Sequence, residues 1–462
     1  MTLYTFLLVF ISLMSGAVNS QAVPSSRAVL ASCLLVGGWV LLAHAVAFWL
    51  ARRVLIRSKS ASQGSEQLRV VMETVRWLAI PITLLCHFAF SLPTWLSAQP
   101  FFEHSMTLQA AGLLAPGMIV LLATWSAEYW YTAFVNHRPR MLASYASVLM
   151  HNLRGGPAWL IVPTLVFLAL SDVAELVKDE LLVSSEWPAS YAMALTWGLI
   201  AGGGLVLAIA FPWLVRWIAK TEPLNLEFRL EIETWLQRCG ISTHPLLGMQ
   251  IARWDTSHRM LNAMVAGIVR PGRLLLLSDR LLDELPRGGR LMVVMHELAH
   301  VRRHHLLIRM VAILPAWLIS SWSSSLLVEI GLLSHAWALG VGGALGLITT
   351  VLTLGAVSHL SELDADATAC RLAVEACQSE IATDSLEVEQ VVGLSQYPAG
   401  EPMTVAMAAD MLADALIRVT ADHPAARKFS WLHPSLETRV ERLRRIARPL
   451  PEFASDSHTL AV

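Results

Sequence analysis

Apolar residues in this chain come in long unbroken runs. Eight runs approach the roughly 20 residues that a membrane crossing needs: residues 3–18, 28–50, 77–95, 108–131, 157–177, 191–215, 306–329 and 335–357. The first is short, and Met1-Thr2 before it carries no lysine or arginine. It reads as a span, with a cleaved signal segment as the alternative. Shorter periods return after the sixth run. A helix is predicted over 226–238, strand-like runs over 249–254, 264–268 and 273–277, and a turn at Pro271-Gly272. Helices follow over 278–284 and from 287 to about 305, with Pro286 at the break. After the eighth run a helix is predicted over 361–376. A polar stretch with Gly393, Pro398, Gly400 and Pro402 reads as a loop, and helices over 404–420 and 435–447 close the pattern. The last dozen residues look frayed, and no internal repeat is visible.

Composition supports the membrane reading. The 462 residues are 55% hydrophobic and only 15% charged, with a mean hydropathy of +0.54. Soluble domains are nearer half apolar and a quarter charged. A net charge of -1 gives no basic field for nucleic acid. Five scattered cysteines form no CxxC pair, which argues against a disulfide framework or a thiolate metal site. Lysine and arginine set the orientation. Arg52, Arg53, Arg57, Lys59, Arg69 and Arg76 follow the second run, Arg138, Arg140 and Arg154 the fourth, and Arg216 and Lys220 the sixth. The alternate loops are poor in both, so the basic loops are expected in the cytoplasm, with 216–305 and everything after 358. Four regions result: a transmembrane part over 1–215, soluble pieces over 216–305 and 358–462, and a membrane hairpin over 306–357 between them.

The chemistry centres on His296-Glu297-Leu298-Ala299-His300. Residues four apart share a helix face, so both imidazoles can reach one metal ion. Glu297 beside them can take a proton from water on that ion. With 16 His and 35 acidic residues, chance gives this pattern roughly 0.04 times per chain, so a polar patch on an ordinary helix is the weaker reading. A catalytic zinc needs a third protein ligand. His304 lies four residues on, but three successive turns of a straight helix converge poorly on one ion; His304 and His305 read instead as the helix end. Glu362 in Ser361-Glu362-Leu363-Asp364-Ala365-Asp366 is the better candidate. The 306–357 hairpin returns the chain to the side where the first two ligands lie. Asp366, one turn further, can accept the free ring N–H of a ligating histidine. A solvated acidic helix start is the bland reading of Glu362.

HELAH, a two-span hairpin and then Glu-x-x-Ala-Asp resemble the CAAX prenyl protease and HtpX-type membrane zinc peptidases (metallopeptidase family forty-eight). The resemblance covers about residues 220–445 and takes in Asn262-Ala263 and the strand-turn-strand before HELAH. It also takes in Trp431-Leu432-His433-Pro434-Ser435 with Arg439. It implies one Zn2+ per chain, a protein or peptide substrate pairing with an edge strand at Asn262 and Ala263, and His433 with Arg439 stabilising the oxyanion. Loop residues at Asn262-Ala263 and a helix start at Pro434 are the plainer readings. HtpX-type members have fewer spans before the metal helix, so the N-terminal spans depart from their pattern.

The expected fold is therefore mainly α. It is a polytopic membrane protein with about eight transmembrane helices and a zincin-like α+β catalytic domain split by a two-helix membrane hairpin. Substrates could be membrane-associated, unfolded or prenylated proteins. The alternatives are a receptor, transporter or non-catalytic scaffold in which HELAH is structural. His44, His87, Glu128, Asp172 and Glu329 lie in or beside spans, where ionisable groups face an interior or water. Asp172 and Glu329 are expected at the interface.

Overall fold

A computed structural model of the protein describes residues 3–17, 25–57, 61–136, 142–183, 189–244, 248–256, 258, 260–268, 272–383, 403–421 and 427–448. The predicted loop from Gly393 to Pro402, the basic residues Arg138 and Arg140, Pro271 and the last dozen residues lie outside these. Helix dominates. A bilayer offers no water to the backbone, so an apolar run must satisfy its N–H and C=O groups internally.

The chain folds into two compact units. The first comprises residues 1–219 and 316–349, the second 220–315 and 350–462. In the first lie α1 (Leu3–Ala17), α2 (Ser26–Arg57), α3 (Ala61–Leu84), α4 (Leu92–Ser97), α5 (Pro100–Glu103), α6 (Met106–Val135), α7 (Leu142–Gly155), α8 (Ala158–Val183) and α9 (Ala189–Ala219). Among the described residues, six stretches are long and apolar enough to cross a membrane: Ser26–Ile56, Met106–Val135, Ala158–Lys178, Ala194–Ala219, His305–Glu329 and Trp337–Cys377. Two of the eight expected spans differ from that. α1 has 15 residues, about 22 Å of helix against a hydrocarbon core of about 30 Å. The 77–95 run is not one helix. α3 leads into a π-helical turn at Leu85–Ala89, and the chain then breaks at Ser91, whose φ is 54°. Pro93 suits the break: lacking an N–H, it sits in the first turn of the new helix, where no intrahelical donor is needed.

α6 packs against α1, α2 and α3, and Leu8, Val36, Val75, Leu113 and Leu121 share one buried cluster there. Four of the five ionisable groups in or beside the spans find partners. Glu128 pairs with Arg76, His44 Nε2 lies 2.8 Å from Ser126 Oγ, and His87 meets Ser15. Asp172 caps α6, accepting from the Met106 N–H at 2.7 Å and the Thr107 N–H at 3.1 Å, where the helix dipole favours an anion.

α10 (Leu226–Arg238), α11 (Asp279–Glu284), α12 (Arg287–Arg302) and α13 (His305–Val311) follow; α14 (Leu314–Glu329) and α15 (His335–Thr383) run through both units. The sequence reading gives the span over 335–357 and the helix over 361–376 as separate elements. Instead α15 is a single helix of 49 residues. No proline interrupts it, so the span continues directly into the segment bearing Glu362. α14 and α15 approach closely through Gly342 and Gly346. A Cβ on Gly346 would lie 2.8 Å from Ser320 Cβ, a small-xxx-small contact suited to membrane helices.

The second unit also holds α16 (Val405–Val419), α17 (Leu436–Ala447) and four strands: β1 (Thr221–Glu222), β2 (Gln250–Trp254), β3 (Ala263–Ala266) and β4 (Leu274–Ser278). Their order is β1-β2-β4-β3. β2 runs parallel to β4 and β3 antiparallel to it, leaving β3 at an edge. β4 is buried along its length, as four consecutive leucines in an inner strand require. α12 turns Leu291, Met292, Met295, Leu298 and Ala299 into the same core, joined by Ala365, Ala369 and Leu372 of α15.

Candidate active site

The burial of one α12 face fixes where its polar residues point. His296 Nε2 and His300 Nε2 stand 3.3 Å apart. Glu362 enters from α15, with Oε2 3.5 Å from His296 Nε2 and Oε1 3.6 Å from His300 Nε2. Ligands about 2.0–2.1 Å from a tetrahedral ion are separated by about 3.3 Å, so two imidazoles and a carboxylate at these spacings fit zinc. The fourth tetrahedral position is left to water or substrate.

Behind the triangle sits Asp366, with Oδ1 3.0 Å from His296 Nδ1 but not squarely in line with the N–H. Arg439 holds Asp366 in a fork, donating from Nε at 2.8 Å and from Nη2 at 2.6 Å. Its third nitrogen, Nη1, lies 3.5 Å from Glu362 Oε2. These carboxylates raise the Arg439 pKa against the opposing effect of burial. The His433 Nδ1 lies 3.5 Å from Glu362 Oε1 while the side chain stays 58% exposed. Ser435 caps α17 by accepting from the Thr438 N–H, which fixes the His-Pro turn.

Glu297 occupies the open side. Its Oε2 accepts the Val265 N–H of β3 at 3.2 Å. The Ser278 N–H donates to Asn262 O at 2.9 Å, which makes 262 a residue facing β4. By alternation Ala263 and Val265 present their backbone groups to the free edge. The Asn262 Oδ1 accepts the Ala263 N–H at 3.0 Å, so this pair lies at the start of the edge strand.

The electrostatics distinguish the two histidines. Burial opposes charge on His296, but Asp366 and Glu362 outweigh it and lift its pKa to about 9. Metal binding there must therefore release a proton. Burial, then the neighbouring His296, lowers His300 to about 3. Burial pushes Glu297 up to about 7, the His296 charge acting against it and Glu362 with it. A carboxylate near 7 is poised for proton transfer at neutral pH.

Three residues of this site carry no sequence signal that singles them out. His305 Nδ1 lies 2.9 Å from His300 Nδ1, and its Nε2 lies 3.0 Å from Asp364 Oδ2. Arg309 Nη2 donates to Glu362 Oε1 at 3.1 Å.

Residues 231–447 match the family model of Peptidase family M48. This part of the chain belongs to peptidase family M48. The matched region takes in α12 and the Glu362 segment of α15 and ends with α17. The structure is also similar to the crystal structure of S. mikatae Ste24p, at 16% identity and a TM-score of 0.47, covering 89% of this chain and 99% of that one. Among proteins of curated function none matches. A peptidase domain together with six described stretches apolar enough to cross a bilayer makes the protein a membrane peptidase, mainly α-helical and polytopic.

Proposed function

We propose that the protein is a zinc-dependent endopeptidase that cleaves membrane-associated, unfolded or prenylated proteins on the cytoplasmic side. The observation that carries this reading is the His296, His300 and Glu362 triangle with Glu297 beside it, within the region matched to M48. When bound, zinc supplies a Lewis acid that polarises a carbonyl and lowers the pKa of water toward about 7. Glu297 takes the proton of the attacking water on a carboxylate oxygen. The water oxygen joins the carbonyl carbon, the C–N bond breaks, and Glu297 passes its proton to the departing amine. His433, exposed beside Glu362, donates to the developing oxyanion. For Arg439 the contacts favour a positioning role over the oxyanion role that the resemblance implies. Its nitrogens face Asp366 and Glu362, so it positions those carboxylates. Extended substrate pairs with the outward groups of Ala263 and Val265, with Glu297 giving up the Val265 N–H as it does. Main-chain pairing makes sequence selectivity modest.

The test is a cleavage assay of the detergent-solubilised protein on unfolded casein, with bound zinc quantified. About one zinc per chain and cleavage are expected, and Glu362→Ala is expected to lose most of the zinc. A wild type without zinc would return the protein to the receptor or transporter class. Zinc without cleavage of casein or prenylated peptides would indicate a non-catalytic scaffold. If Glu362→Ala keeps its zinc, the third ligand lies elsewhere. The side of the membrane is tested separately. Reporter fusions after Arg57 and Arg140 are expected to read as cytoplasmic, since arginine is enriched around both; an external signal at either reverses the orientation.

A further inference from the structure

α12 and α13 are separated by His304 at φ 55°, in the left-handed region that disfavours residues with a Cβ. Residues five apart on a continuous helix differ by about 140° in direction, which would point His305 away from His300. The break at His304 undoes that. It starts α13 anew at His305, brings the His305 ring to 2.9 Å from His300 Nδ1, and leaves His305 4% exposed.

The hydrogens around this contact can be assigned in one self-consistent way. A neutral His300 that ligates through Nε2 carries its hydrogen on Nδ1. It therefore donates to His305 Nδ1, which has to be the bare nitrogen of that ring. The His305 hydrogen then sits on Nε2 and goes to Asp364 Oδ2, 3.0 Å away. Asp364 is itself gripped by Arg303, from Nε at 2.8 Å. Every member has a partner and none needs an extra charge. The other ligand, His296, is backed by a carboxylate and an arginine directly, through Asp366 and Arg439. His300 has the same termination one ring further out.

We propose that His305 and Asp364 form a positioning relay that fixes the tautomer and ring orientation of His300, and that the left-handed turn at His304 exists to seat it. The proposal rests on the zinc-site reading above. Neither residue touches substrate or metal; both act through His300. Outer partners of this kind typically carry 10–100-fold in metal affinity.

The experiment is competition for zinc between a chromophoric chelator and the full-length protein in detergent, at one pH. Wild type is compared with His305→Ala, His305→Asn, Asp364→Ala and His296→Ala. Thermal unfolding is recorded for each without and with zinc. His305→Ala is expected to bind zinc 10–100-fold more weakly and Asp364→Ala several-fold more weakly. His305→Asn, which restores an acceptor oxygen near the place of Nδ1, should recover part of the loss. The gain in unfolding temperature on adding zinc should shrink in step. A purely structural role would instead lower the zinc-free midpoint and leave that gain intact. Should His305→Ala fail to fold, Asp364→Ala decides, because Asp364 is only partly buried and its loss spares the core. Zinc in the wild type, lost in His296→Ala but unchanged in Asp364→Ala and in any folded His305→Ala, would overturn the relay alone. A wild type without zinc would overturn the zinc site and the relay together.

Discussion

Glu297→Gln is expected to lower peptide hydrolysis about 10²–10⁴-fold while zinc content stays at the wild-type level. The amide is nearly isosteric and its oxygen can still accept the Val265 N–H, so the geometry of α12 against β3 is preserved. What it cannot do is take a proton from water. The same substitution should stabilise the zinc-free protein at pH 8. Glu297 titrates at about 7 in the folded state because burial penalises its charge, against an ordinary value of 4.5. A raised carboxylate pKa disfavours folding once the group must ionise. The penalty is absent below about pH 4.5, grows as pH rises toward 7, and is fully present above. Removing the charge should therefore add roughly 1–3 kcal/mol at pH 8 and little at pH 4.5, the order expected for a shift of this size. Denaturant unfolding at pH 8 and at pH 4.5, with the metal removed beforehand, reads the difference. Activity within several-fold of wild type would remove Glu297 as the base; equal stabilisation at both pH values would show that its burial does not cost charge.

How much of this was legible beforehand follows the range of the forces involved. His296 and His300 were visible because helical spacing is local and periodic. Glu362 was visible through a topological argument, since a two-span hairpin returns the chain to the side it left. The strand-turn-strand before HELAH and the helices at 226–238, 404–420 and 435–447 were set by short patterns, and the structure follows them within a residue or two. His305 was not legible as part of the site. Its place depends on one residue, His304, leaving helical geometry, and periodicity says nothing about where that happens. The Arg439 fork on Asp366 joins residues 73 apart and depends on α17 packing beside α15, which no local pattern encodes. The run at 77–95 shows the converse limit. Its hydropathy promised one span, but Pro93 and a left-handed Ser91 decide the backbone.

Arg439→Leu is expected to destabilise the protein by about 3–5 kcal/mol and to weaken zinc binding by about 10–100-fold. Asp366 is 2% exposed, and two of its contacts are the short charge-assisted bonds from Arg439. Removing the guanidinium strands a buried carboxylate, which costs far more than the pair contributes over an apolar replacement. The stranded Asp366 can also no longer hold His296, so the ligand set loosens with it. The double variant Asp366→Asn with Arg439→Leu should regain part of the stability, because no charge is then left without a partner. It should not regain the zinc affinity, because a neutral amide is a weaker acceptor for His296. Unfolding with and without zinc, taken around that mutant cycle, separates the two effects. The outcome also decides between the two roles open to Arg439. As an oxyanion donor it would act only on the transition state, so its loss would lower kcat and leave zinc affinity and stability close to wild type. As the anchor of Asp366 it acts on the ground state, and all three quantities fall together. The fork of 2.6 and 2.8 Å contacts, with the remaining nitrogen turned to Glu362, is the geometry of an anchor.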